Sequence, residues 1–138
     1  MLKLAVEHLM KKYERGGSSY KDTCEQFKTI RQDLIVQRIS NHFAALVYEI
    51  NARLAIQNSD LGEFNTCQTQ IIKLHSFLER KEGKVPPHSM EFLAYRILYF
   101  LLNDIKQNVT EILCGMNEEK SKKKKTTKKT KKKKFTYF

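Results

Sequence analysis

The sequence predicts an all-α fold, and three observations carry that reading. Apolar residues recur every three to four positions along most of the chain. Gly and Pro are scarce, at 5 and 2 in 138 residues, which disfavours a turn-rich β architecture. No alternating apolar/polar run suggests a strand. The short links between helices imply antiparallel neighbours, hence helical hairpins stacked in a row in a tetratricopeptide-like arrangement. No fixed-period repeat accompanies that shape.

Each element follows from its own pattern. Leu2, Ala5, Val6, Leu9, Met10 and Tyr13 mark a first helix that stops at Gly16-Gly17. Ser18 and Ser19 can cap a second, striped by Tyr20, Cys24, Phe27, Ile30 and Leu34, with a break near Leu34–Val36. A third helix is predicted from about Ser40 to Gln57, with Phe43, Leu46, Val47, Ile50 and Leu54 inward. Asp60 with Glu63 resembles a capping box and opens a fourth, striped by Phe64, Cys67, Ile71, Leu74 and Leu78. Arg80–His88, containing Pro86-Pro87, is predicted to be an exposed loop. The fifth helix, from Ser89, is apolar on nearly all sides across Phe92–Leu102, so it is expected to be the central and most buried one. Gln107–Leu113 opens a sixth, and Gly115 is expected to end the ordered part.

Charge divides the chain in two. The formal net charge is +11 and the isoelectric point is near 9.6. Eleven of the 26 basic residues lie between Lys120 and Lys134, which leaves 15 in residues 1–119 against all 15 acids. The body is therefore neutral, and the basic character belongs to the tail. The division is residues 1–115 as a helical domain and 116–138 as a disordered lysine-rich extension, too charged to form a core. Lys122, Lys123, Lys124, Lys125, Lys128, Lys129, Lys131, Lys132, Lys133 and Lys134 form clusters of the nuclear-import or nucleic-acid-binding kind. A solvated extension without a selected role is the alternative reading of the same lysines.

No catalytic signature is present: neither a phosphate-binding Gly-rich loop, nor H-E-x-x-H, nor G-x-S-x-G. His8, His42, His75 and His88 stand on separate segments with no carboxylate at ligand spacing, so they read as surface or core-edge residues. The expectation is a non-enzyme with no metal and no cofactor. Cys24, Cys67 and Cys114 are far apart and read as small buried apolar residues in a reducing compartment. No segment reads as a signal peptide or a membrane span, so the expectation is a soluble intracellular protein without a membrane partner. Arg31, Asp33, Glu49, Arg53 and Arg96 lie within apolar segments. Glu49 and Arg53 are four apart in the favourable order. Arg96 needs a carboxylate, for which Glu49, Asp33 and Glu91 are the candidates. An internal ion pair fixing helix register is preferred here over a partner-binding charge.

Four strings then matter together: Cys24–Gln37 (CEQFKTIRQDLIVQ), Val47–Arg53 (VYEINAR), Glu63–Gln70 (EFNTCQTQ) and Glu91–Tyr99 (EFLAYRILY). In this order they resemble the conserved region of the germinal-centre-associated nuclear protein family, and more narrowly its leukocyte-receptor-cluster-type branch. The resemblance covers roughly residues 18–113. It implies a tetratricopeptide-like scaffold forming the N-terminal part of a PCI-type module, with nuclear roles in messenger-RNA export and transcription-coupled RNA processing. The partners it implies are another PCI-domain protein and a small acidic Dss/Sem-type protein; RNA as a partner of the tail is read from the lysine clusters instead. The localisation it implies is the nucleus, or nucleus and cytoplasm. The family's motif charges map onto Arg31, Asp33, Glu49, Arg53 and Arg96. Two departures stand out. Asn51 occupies a position where the family string usually has His. The lysine run begins soon after Leu113, leaving no length for the family's winged helix, so a short paralogue or a truncated form is expected. Nucleic-acid binding mainly through the tail is the rival function.

Overall fold

The computed structural model of the chain describes residues 1–103 and 110–116. Five helices follow one another: α1 (Leu2–Glu14), α2 (Tyr20–Val36), α3 (His42–Gln57), α4 (Leu61–Glu82) and α5 (Ser89–Leu102). Residues 110–116 are also helical, and no strand occurs among the described residues. The chain is all-α, as predicted. It divides into two compact units, residues 1–92 and a second that begins at Leu93. Residues 116–138 were expected to form the basic tail. Apart from Met116 they lie outside the described residues, as do residues 107–109 of the expected sixth helix.

Short-range chemistry sets the helix ends. Ser19 Oγ accepts from the Asp22 N–H at 3.2 Å, Asn41 Oδ1 from Ala44 at 3.0 Å, and Asp60 Oδ1 from Glu63 at 3.1 Å. Each satisfies an amide that the first helical turn leaves unpaired. At the other ends, Gly17 donates to the Lys12 carbonyl, Ile39 to Leu34 and Asp60 to Ala55, closing each helix with a six-residue loop. The residue before each donor has positive φ: Gly16 at 72°, Arg38 at 52° and Ser59 at 56°. α4 runs three residues into the expected loop, to Glu82. Arg80 and Lys81 occupy its last turn, where cations favour helix continuation. Gly83, at φ 67°, then ends it. Helix 110–116 runs through Gly115 rather than stopping before it.

In the first unit α3 and α4 form the most extensive helix pair. Their register is antiparallel. His42 at the start of α3 meets Glu82 at the end of α4, and Glu49, seven residues on, meets His75, seven residues back. α1, α2 and α3 close one core around Val6, Leu9, Phe27, Ile30, Leu34, Ala44, Val47 and Leu54.

The central helix is α3, which corrects the expectation for α5. α3 buries nine side chains, four of them alanines that let neighbouring helices approach closely. α5 buries only Phe92. Leu98, Leu101 and Leu102 are 56%, 53% and 75% exposed. An all-round apolar pattern shows that a helix can be buried. It does not supply the elements that would cover it.

Candidate interaction site

Two clusters of polar side chains sit inside the first unit, both built on α3 and α4. The first centres on Glu49, which is 4% exposed. Its Oε1 lies 2.7 Å from His75 Nε2 and its Oε2 lies 2.7 Å from His88 Nδ1. Burial pushes the Glu49 carboxyl upward, but the hydrogen bonds and charges of His75 and His88 outweigh it and hold the group below its usual range. One turn further along α3, Arg53 donates from Nε and Nη2 to both oxygens of Glu91, at 3.0 and 2.8 Å. The Arg53 guanidinium also lies 5.2 Å from the centre of the Phe92 ring. That ring and the His75 ring make a T-shaped pair, with centres 6.3 Å apart and 75° between planes.

The second cluster centres on Arg31 of α2, also buried. Its Nη2 pairs with Glu63 Oε1 at 2.6 Å, and its Nη1 donates to Cys67 Sγ at 3.0 Å. The guanidinium lies 5.8 Å from the Tyr48 ring centre. Glu63 therefore spends its side chain on α2, so the capping box is half made: Asp60 takes its amide, but its carboxylate is elsewhere. Burial pushes the Cys67 thiol up to about 12. Beside this cluster the Tyr20 hydroxyl donates to Asp60 Oδ2 at 2.8 Å. The Glu63 amide and Tyr20 together hold the Asp60 carboxyl low, while burial and Asp60 push the Tyr20 phenol well up.

Several sequence expectations change here. Glu49 and Arg53 do not pair along the helix. Glu49 takes two histidines and Arg53 takes Glu91. Arg96 was expected to have a carboxylate partner, and none among the described residues pairs with it. Of the three candidates, two are already held, and Asp33 is half-buried without an ion pair among the described residues. Arg96 lies instead 5.4 Å from the Phe100 ring centre, and burial lowers its pKa. Three histidines read as isolated have carboxylates after all: His75 and His88 on Glu49, and His42 on Glu82 at the surface. Cys114 is exposed rather than buried. Asn51 is fully buried, and neither atom of its amide has a hydrogen-bond partner among the described residues.

The missed members left one trace. His75 falls on the inward stripe of α4, between Ile71 and Leu78, and a buried imidazole requires a partner. The partner lies 26 residues away, so no local spacing reveals it.

A groove of about 290 Å³ opens where α2 ends, lined by Leu34, Ile35, Arg38, Ile39, Tyr48 and Leu74 among others. No group of three His, Cys, Asp or Glu among the described residues is placed to hold a metal ion. No described helix is long and apolar enough to cross a membrane. The ten tail lysines lie outside the described residues.

No family model matches the chain. It is similar to a THP3 homologue of Schizosaccharomyces pombe, at 45% identity over 119 residues, 86% of this chain and 28% of the relative. It is similar to SAC3 family protein A of Arabidopsis thaliana, at 46% over 99 residues, 72% of this chain and 9% of the relative. A leukocyte receptor cluster member 8 homologue of Xenopus laevis is 40% identical over 105 residues, 76% of this chain and 12% of the relative. The chain thus spans well under a third of the length of these relatives.

Proposed function

We propose, from relatives that support a SAC3/THP3/GANP-type family, that this chain is a non-enzymatic protein–protein scaffold of nuclear messenger-RNA export or transcription-coupled RNA processing. The observation that carries the reading is the extent of the similarity, which takes in most of the helical body at 40% identity or more. The geometry is consistent with it. The buried acids and bases of α2, α3 and α4 are committed to one another, as parts of a framework are. The large exposed side chains of α5 are apolar, as surfaces that receive partners are.

In this reading residues 1–115 are the scaffold, in a tetratricopeptide-like arrangement belonging to a PCI-type module, and residues 116–138 are its basic extension. The motif charges Arg31, Glu49 and Arg53 hold the helices in register. The partners are another PCI-domain protein and a small acidic Dss/Sem-type protein, and the protein works in the nucleus. The leukocyte-receptor-cluster-type branch remains our assignment within the wider family.

The test is co-purification of the tagged full chain from nuclear extract, probed for PCI-domain proteins. Wild type and a variant with Lys131–Lys134 all changed to Gln should retain the partner, and Leu101→Glu should lose it. RNA held at low salt by wild type and lost in the lysine variant, with no PCI-domain protein retained by either, would move the function to the tail.

A further inference from the structure

We propose that residues 83–92 form a strap that detaches from α3 and α4 and unfolds as one cooperative unit, its internal hydrogen bonds included, and that the bond from His88 to Glu49 is its fastening. The segment follows the left-handed Gly83 at the end of α4. It carries Pro86-Pro87 and ends at Phe92, the last residue of the first compact unit. Its backbone N–H groups at Gly83, Ser89 and Phe92 bond locally, to the carbonyls of Glu79, Pro86 and His88. Side chains attach it to the rest of the unit, among them His88 to Glu49, Glu91 to Arg53, and the buried Phe92 ring against His75 and Arg53.

These attachments are unequal. The Arg53–Glu91 pair is about one-third exposed on both sides, where solvent screens it. Glu49 is buried, and its other oxygen is already held by His75 from α4. The carboxylate is thus fixed to the α3–α4 pair whether the strap is closed or open, and His88 is the movable half of the bond. His88 itself is about half exposed, so it can leave without unpacking the core. Opening uncovers Phe92 and Pro86, both buried when the strap is closed. Local opening of this kind is expected where a segment packs less extensively than the helix pair beside it.

Amide hydrogen exchange in the full chain at neutral pH tests the proposal. In the wild type, the Ser89 and Phe92 amides should exchange faster than those of Ala52 and Ile71, and with a weaker dependence on urea. His88→Ala should raise exchange at Ser89 and Phe92 by about tenfold or more, the scale of a charge-assisted hydrogen bond. Ala52 and Ile71 should not change. Glu91→Gln should change the strap by less than about fivefold. Equal exchange energies and equal urea dependence at all four amides would overturn the proposal, because the strap would then open only with the whole unit. So would a His88→Ala variant whose Ser89 and Phe92 amides exchange as in the wild type.

Discussion

Glu49 shows how one buried side chain ties protonation to stability. Its carboxyl is held below its usual value in the folded chain, and in the unfolded chain it titrates at about 4.3. Its contribution is therefore complete above the unfolded value and drains as the pH falls through the folded one. Urea midpoints taken from pH 7 downward should fall faster in wild type than in Glu49→Gln, so that the two curves converge in acid. Glu49→Ala should cost about 3–5 kcal/mol at pH 7, since it leaves His75 buried without its carboxylate. The cysteines give a second measurement. Cys114 is exposed, Cys24 and Cys67 are buried, and burial pushes the Cys67 thiol to about 12. A maleimide should label Cys114 quickly in the native chain and reach Cys67 only when the chain unfolds.

At the scale of elements, caps and stripes were legible because they are local. Ser19, Asp60 and the stop at Gly16 act on residues within five positions of themselves, and their chemistry can be read directly. The identity of the central helix was not legible. α3 carries Glu49, Asn51 and Arg53, which look like signs of exposure, yet the first two are buried and Arg53 is half-buried. Glu49 is met by His75 of α4 and by His88, and Arg53 by Glu91 and Phe92, which is a fact of tertiary register. α5 shows the converse, with apolar residues left exposed. Phe92→Ala should accordingly cost about 3–5 kcal/mol. Leu98→Ala and Leu101→Ala should each stay within about 0.5 kcal/mol. Equilibrium unfolding of the three variants distinguishes this from a buried α5, in which all three would be costly.

For the molecule as a whole, the fold class was readable and the polar interior was not. Helical spacing and the scarcity of Gly and Pro suffice for an all-α chain. Arg31 with Glu63, Glu49 with His75, and Arg53 with Glu91 join residues 26 to 38 positions apart, beyond the reach of any local pattern. Three of the five motif charges have partners that the fold supplies: Arg31, Glu49 and Arg53. Asp33 and Arg96 form no ion pair among the described residues. The sequence strings that resembled the germinal-centre-associated nuclear protein family drew on a different kind of information, and the THP3- and SAC3-named relatives support a family of SAC3/THP3/GANP type.

The link between α3 and α4 is only Asn58, Ser59 and Asp60, and it joins the two helices that pack most extensively. The largest packed surface is therefore also among the cheapest to bring together, because closing so short a loop costs little chain entropy. This hairpin should form early, ahead of the contacts made by α1 and by residues 83–92. Stopped-flow measurements should show it as an asymmetry. Phe64→Ala, within the hairpin, should slow refolding. Phe92→Ala, outside it, should leave refolding nearly unchanged and speed unfolding instead.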